Sequence, residues 1–301
     1  MIGESWELAD LPEAIEGGRS VIANGVLRGR TLHDAMVLHR EAIMGRAHLS
    51  DVGGFPLLIK FLDARENLSV QVHPTKSFAA THPGAHLKAE AWYILDAEPG
   101  AVIYRGIRPG VTRDVLQAHL ARGLVAQDLL AIPARPGACH YLPSGTCHAL
   151  GAGILVAEVQ TPSDTTFRLY DWGRTGRALH IDEAMECIDF SGSSGERAYR
   201  SQPIEVDGMR TERLVETDSF EMERIDAEDS QPLELVTDAQ PIVIVMTDGR
   251  GRLTGGGETV ELRAGTTALV PAASDDALLE FERGAKVLRI TPPSPIRGML
   301  A

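Results

Sequence analysis

Cysteine is scarce in this chain. Cys139, Cys147 and Cys187 are odd in number and lack paired spacing. That argues against a disulfide framework and fits a reducing cytoplasm. Aromatic residues make up only 5% of a chain that is 44% apolar, so the core must be built from Leu, Val, Ile and Ala. Basic residues are outnumbered, 29 against 42 acidic, and the formal charge of −13 argues against a nucleic-acid or anionic-membrane surface. A small anionic substrate remains compatible, because it needs only a local cluster of Lys and Arg. No run of about 18 apolar residues exists, so no transmembrane helix is expected. The opening MIGESWELADLPE lacks a basic stretch followed by an apolar one, so no signal peptide is expected. Neither a GxGxxG nor a Walker pattern appears. The run Gly255 to Gly257 precedes a strand and not a helix, and reads as a turn.

What is present is a chain of 301 residues, enough for one large or two ordinary domains. Thr31 to Arg46 reads as a helix capped by Thr31 and uninterrupted until Gly45. Thr112 to Leu130 is the longest helical stretch, capped by Thr112 and divided by Gly123 into two short helices. Pro56 to Ala64, Leu68 to His73 and Ala91 to Leu95 read as strands. Many short strands separated by Gly, Pro and Ser follow the second helical stretch, which is an all-β signature. Ser191 to Gln202 is small, polar and without apolar periodicity, and reads as a linker. Beyond it further strands are expected at Pro241 to Met246, Thr259 to Leu262, Thr267 to Val270 and Lys286 to Ile290. A faint repeat lays Pro136 to Leu150 on Ala264 to Leu278 without a gap. Gly137/Gly265, Pro143/Pro271, Ala149/Ala277 and Leu150/Leu278 coincide, while Asp276 stands where His148 stands. A real duplication would therefore give a second domain of the same architecture without the first one's chemistry.

That chemistry centres on His73, Glu90 and His148, which lie in three separate strand-like segments. Two imidazoles and a carboxylate are a ligand set for a catalytic zinc that keeps one position open. Gln71 precedes His73 by two residues, so in an extended strand both side chains leave one face. A lone strand histidine is more often a core or surface residue, and His82, His86, His119, His140 and His180 are read that way. His73 and His148 differ in lying beside turn residues, Pro74 and Gly145, at strand ends. Spacing alone leaves both readings standing. Lys88 shares a face with Glu90, either as an exposed charge pair or as an ammonium beside a metal carboxylate. Glu158 sits in the apolar run ILVAEVQT, so it is either edge-exposed or held with a raised pKa as a general base requires. Arg168 either stacks on Phe167, Tyr170 or Trp172, or stabilises a developing oxyanion.

Four segments, IGESWEL, PLLIKFLDARENLSVQVHPTK, KAEAWYILDAEPGAVIYRG and LPSGTCHALGAGILVAEVQTPSDTTFRLYDWGR, together resemble type I mannose-6-phosphate isomerase in its short bacterial form. The resemblance covers Ile2 to about Gly176 and continues loosely beyond. It implies a mostly β protein of two cupin (jelly-roll β-barrel) domains with a small helical insertion. Residues 1–190 would form the metal-binding catalytic domain, with the insertion at about 111–130. Residues 191–202 would be the linker, and 203–301 a smaller cupin-like domain without metal. It implies one zinc per chain on His73, Glu90 and His148, with Gln71 as the additional ligand, and Arg168 as the active-site arginine. Lys88 and Glu158 fall at positions that handle protons; Ser69 and Lys76 fall near the substrate mouth. The implied reaction is zinc-dependent interconversion of mannose 6-phosphate and fructose 6-phosphate through an enediol, in the cytoplasm, with no nucleic-acid or membrane partner. A sugar-phosphate-binding cupin without turnover and an iron-dependent cupin oxygenase stay open beside it, since the same ligands suit non-heme iron. In one respect this chain departs from the family's pattern. Members usually carry a few dozen residues ahead of GESWE, which here begins at Gly3, so a sheet edge is expected to be exposed.

Overall fold

Described here from a computed structural model are residues 2–191, 201–227 and 232–293. The expected linker lies, apart from its ends, outside the described residues. The chain divides into two compact units: Met1–Ser5 with Ile59–Arg197, and Trp6–Leu58 with Ala198–Ala301. The sequence placed a single division at residues 191–202. Compactness also divides the chain inside its first two strands, so that residues 6–58 group with the C-terminal part.

Mostly β structure was expected and is found. In chain order the first elements are β1 (Ile2–Leu8), α1 (Leu32–Met44), β2 (Leu58–Ala64), β3 (Val70–Val72), α2 (Lys76–Thr81), β4 (Glu90–Ala97) and β5 (Val102–Ile107). Next come α3 (Arg113–Leu120), β6 (Leu129–Pro133), β7 (Cys139–Leu142), β8 (His148–Leu150), β9 (Ile154–Gln160), β10 (Phe167–Tyr170) and α4 (Ile181–Cys187). Their strands make two sheets, ordered β1-β2-β9-β4-β7 and β10-β3-β8-β5-β6. Leu62, Trp92, Leu142 and Val156 of the one pack with Ile103 and Leu150 of the other. That is the jelly-roll arrangement of the cupin fold. β1 is an edge strand of its sheet.

Ten strands follow: β11 (Ile204–Val206), β12 (Met209–Glu216), β13 (Glu221–Ala227), β14 (Leu233–Glu234), β15 (Ile242–Asp248), β16 (Arg250–Gly255), β17 (Glu258–Arg263), β18 (Thr267–Val270), β19 (Leu278–Phe281) and β20 (Lys286–Thr291). They too form two sheets, β11-β12-β13-β20-β15-β18 and β14-β19-β16-β17. The repeat seen faintly in sequence is explicit in this topology. β2 to β9 are ordered β2-β9-β4-β7 and β3-β8-β5-β6; β13 to β20 are ordered β13-β20-β15-β18 and β14-β19-β16-β17. The ungapped alignment carries β7 onto β18 residue for residue. The second interior is aliphatic: Ile225, Ile242, Ile244, Met246, Leu262, Leu279 and Val287 meet there with Phe281.

Local chemistry explains where the helices fall. Thr31 caps α1 by accepting from the Asp34 N–H, and the Asp34 carboxylate accepts from the Thr31 N–H, a complete capping box. Gly45 ends α1 at φ +52°, where a Cβ would lie 2.3 Å from the Ala239 carbonyl oxygen. Only glycine fits there. Thr112 caps α3, Gly123 turns the chain at φ +69°, and a short 3-10 turn covers Val125–Asp128. The helical insertion is therefore two short pieces joining β5 to β6. In the second copy the equivalent connection, β16 to β17, is only the pair Gly256-Gly257. Both have positive φ, +57° and +78°, the signature of a tight hairpin turn.

Candidate metal centre

Three strand ends converge in the first jelly roll. His73 follows β3, Glu90 opens β4 and His148 opens β8. All three are buried, and their ligating atoms lie within 4.8 Å of one another. Register brings them together: Gln71 on β3 is directly opposite His148 on β8. Gly145 closes the connection, because its N–H donates to the His73 carbonyl at 3.1 Å. Gly145 has φ +85°, and a side chain there would press on Thr75 and on the Cys187 carbonyl.

The imidazoles are oriented by backbone. His73 Nδ1 lies 3.3 Å from the Thr165 carbonyl oxygen, and His148 Nδ1 lies 2.7 Å from that of Thr146. A carbonyl only accepts, so in both rings Nδ1 carries the proton and Nε2 presents a lone pair. Burial holds both rings neutral, pushing His73 down to about 3 with the Lys88 charge adding to it, and lowering His148 as well. His73 Nε2 nevertheless faces Glu90 Oε1 at 2.9 Å, and His148 Nε2 faces Oε2 at 3.6 Å. These are lone pairs against a carboxylate. Among the described residues, His73 Nε2 and both Glu90 oxygens have no hydrogen-bond partner. Lys88 Nζ lies 2.7 Å from Oε1 as an ion-pair contact without hydrogen-bond geometry. Neutral imidazoles and a bare carboxylate converging at such range are the donor set of a bound cation, so the residues fit a metal. Gln71 Nε2 lies 3.3 Å from His148 Nε2, which places its amide at the rim of the same cluster.

The other expected site residues are placed as follows. Lys88 is buried beside Glu90, and its pKa is raised despite the opposing effect of burial, because Glu90 and Glu158 face it. This is no exposed charge pair. Glu158 on β9 is buried, and burial, then Glu90, pushes its pKa up. Trp92 Nε1–H donates to Glu158 Oε2 at 2.8 Å, and Lys60 Nζ reaches Oε1 at 3.4 Å. Arg168 on β10 is directly opposite Gln71, so both side chains leave one face of the sheet. Its guanidinium donates to the Ala178 carbonyl at 2.9 Å, a contact different from the aromatic stacking considered above. Ser69 is buried just ahead of β3, and Lys76 is exposed at the first position of α2. His119, read as structural, sits 2.8 Å from Asp128.

Sequence reading gave no role to Lys60, Trp92 or Gln160. Lys60 had a visible signal, a lone cation inside the apolar run PLLIKFLDA. Gln160 is fully buried, directly opposite Glu90, and donates to the Thr161 and Ser163 carbonyls. It braces the loop whose Thr165 carbonyl orients His73. Nothing in the local sequence announces that. Asp276, where the repeat predicted a histidine's counterpart, accepts from the Gly256 N–H at 2.9 and 3.0 Å and so ties down the hairpin turn.

Comparison with known proteins gives a consistent result. Residues 3–104 match the family model described as phosphomannose isomerase type I, catalytic domain. A mannose-6-phosphate isomerase of Streptococcus mutans is 34% identical over 275 residues, covering 89% of this chain and 82% of that protein. Mannose-6-phosphate isomerase ManA of Bacillus subtilis is 33% identical over 285 residues, covering 92% and 86%. The crystal structure of the mannose 6-phosphate isomerase from Bacillus subtilis superposes with a TM-score of 0.84 at 28% identity, covering 96% of this chain and 89% of that one. A putative mannosephosphate isomerase from Archaeoglobus fulgidus shares the fold at TM-score 0.73 and 23% identity.

Proposed function

This chain belongs to the type I mannose-6-phosphate isomerases, and from that premise we propose that it interconverts mannose 6-phosphate and fructose 6-phosphate with one zinc ion per chain. The observation that carries the metal is the convergence of two backbone-oriented imidazoles on a buried, hydrogen-bond-starved carboxylate. His73, Glu90 and His148 would hold the ion, with Gln71 as an additional oxygen ligand. When bound, zinc supplies a Lewis acid that polarises the substrate's carbonyl and hydroxyl oxygens.

The rest of the chemistry falls to protein groups. Aldose–ketose exchange moves a proton from C2 to C1 through an enediol, and needs a base and an acid. Glu158, its pKa raised by burial, carries the proton between the two carbons in this reading. Lys88, kept protonated by two carboxylates, serves the O1 and O2 oxygens. Arg168 stabilises the negative charge that develops on the enediolate. Lys60 and Trp92 hold Glu158 in place. Ser69 and the exposed Lys76 receive the phosphate. Charge balance agrees with an anionic substrate. Lys60 and Lys88 offset Glu90 and Glu158, so a divalent ion with Arg168 and Lys76 leaves the site net positive, the sign that a phosphate of about −1.5 to −2 requires.

Among the described residues no helix is long and apolar enough to cross a membrane. All three cysteines are buried and free, and burial pushes the Cys147 thiol up to about 12. Cysteines without a disulfide among them accord with the reducing cytoplasm proposed for this enzyme. The deciding test is a coupled mannose 6-phosphate isomerase assay on the purified chain with and without chelator, together with elemental analysis. Stoichiometric zinc and chelator-sensitive turnover are expected. Turnover unaffected by complete metal removal, or iron in place of zinc, overturns the zinc assignment; no turnover from a metal-loaded, folded chain overturns the reaction.

A further inference from the structure

The second jelly roll keeps a polar cavity at the place where the first carries its metal centre. Strand pairing fixes the correspondence. Glu90 is opposite Leu142, and Ile242 is opposite Val270, the repeat counterpart of Leu142. Ile242 therefore stands where Glu90 stands, and Gln240, two residues ahead of it, stands where Lys88 stands. On the neighbouring strand Trp92 is opposite Glu158, and Ile244 is opposite Arg289. Arg289 thus stands where Glu158 stands. The buried pair Lys60–Glu158 reappears with its charges exchanged, as Glu223–Arg289.

A cavity of about 310 Å³ opens on these positions, lined by Gln240, Ile242, Glu223 and Arg289 together with Arg213 and Thr291. With Ile242 and Asp276 at the positions of Glu90 and His148, this copy lacks those two metal ligands, yet the space is not filled. The cavity's size is at the lower end of small-molecule sites, roughly 300–1,000 Å³. Its charges are already compensated. Glu223 accepts from both Arg213 and Arg289, Arg213 also reaches Glu216 at 2.8 Å, and Asp238 at the rim is paired with Arg46 at 2.9 Å. A phosphate or carboxylate would have to break these pairs, and with Glu221 and Asp238 also lining the space it would meet three acids against two arginines. What remains is a mixture of donors and acceptors beside the apolar patch of Ile242 and Pro292. Gln240 is 8% exposed and its side-chain carbonyl has no partner among the described residues. A hydroxyl group, which both donates and accepts, satisfies such a lining where an ion does not. We propose that the second jelly roll binds an uncharged polyhydroxyl compound, a free monosaccharide or polyol, in this cavity.

The test is saturation-transfer NMR on the full, metal-loaded chain with D-mannose and sorbitol as probes. It is run with and without a saturating, equilibrated mixture of mannose 6-phosphate and fructose 6-phosphate. At least one probe is expected to bind, and its signal to survive saturation with the sugar phosphates. Gln240→Leu and Thr291→Val, each close in volume to the residue it replaces, are expected to weaken binding at least tenfold while leaving isomerase kcat/KM unchanged. If either variant melts below the wild type, Val236→Arg replaces it. Val236 lines the cavity at 71% exposure, so an arginine there obstructs the mouth without touching the core. Absence of signal from both probes, displacement of the signal by the sugar phosphates, or undiminished binding in the cavity variants each overturns the proposal. So does inorganic phosphate binding at the same residues in preference to either probe. None of these outcomes depends on whether the first jelly roll isomerises mannose 6-phosphate.

Discussion

Glu90 and Ile242 occupy the same position in two copies of one strand order, and the two jelly rolls differ accordingly. In the first, the strands deliver two carboxylates, two imidazoles and two lysines to a buried place. Each charge there is tolerated only because another faces it. In the second, Ile242, Ile244 and Met246 fill the same sheet face with aliphatic side chains, and the remaining charges pair off around a cavity. A shared topology therefore does not carry the chemistry. In the proposed reading a handful of side chains does, and they are affordable only as a compensated set, since a lone buried charge costs far more than a paired one.

Several variants sharpen or break that contrast. The largest effects are expected from exchanging the paired positions. Glu90→Ile removes a metal ligand and the nearer of the two carboxylates that face buried Lys88. It should cost about 3–5 kcal/mol and abolish both zinc binding and turnover. The reverse change, Ile242→Glu, buries an unpaired carboxylate and should destabilise by a similar amount while creating no metal site. Denaturant melts with elemental analysis of both proteins check this, and near-wild-type stability of Ile242→Glu would remove the idea of a compensated set.

Next in size is Arg168→Ala, expected to lower kcat roughly 10²-fold or more, about 2.7–4 kcal/mol of transition-state stabilisation. Zinc content should be unchanged, because a guanidinium is not a metal ligand. Arg168→Lys should rescue only in part, since a point charge replaces a planar fork. A folded, zinc-loaded Arg168→Ala with wild-type kcat shows that the arginine only braces the Ala178 carbonyl.

Metal removal should come third. An ion present at 100 times its dissociation constant stabilises by about 2.7 kcal/mol. Chelation should therefore speed hydrogen exchange in β3, β4 and β8 and leave β15 and β19 unchanged. Equal acceleration in both copies contradicts the assignment of the metal to the first jelly roll alone. The smallest effect is expected from Ile244→Val, about 0.5–1.5 kcal/mol of stability with kcat per folded molecule unchanged. A fall in kcat there would mean that the aliphatic interior matters to the chemistry after all.

Much of this was legible in the sequence, for identifiable reasons. Gln71 and His73 announced themselves by alternation, Thr31 and Thr112 as helix caps, and Gly123 and the Gly256-Gly257 pair as turns, because each acts through near neighbours. The apolar run around Glu158 left two readings, edge-exposed or held with a raised pKa, and its burial selects the second. Lys60 stood out as a lone cation in an apolar run, but its partner Glu158, like the role of Gln160, depends on which strands lie alongside. The grouping of residues 6–58 with the C-terminal part is equally non-local. The duplication was faint because the insertion between β5 and β6 breaks any constant offset, and because interiors preserve polarity and volume more than identity. Strand order, invisible in one sequence, is what exposed it.

The interrupted C-terminal unit has a further consequence for how the chain is made. Residues 6–58 are translated before residues 59–197, yet the strands they group with follow that stretch. At about 5–20 residues per second that delay is on the order of ten seconds. Throughout it, Leu32, Met36, Ile43 and Met44 of α1, buried in the finished protein, lack the C-terminal strands of their own unit. The intervening unit can fold and take up its metal while the first segment waits. Nascent-chain crowding, chaperone capture and premature truncation should therefore fall on α1 well before they touch the catalytic centre.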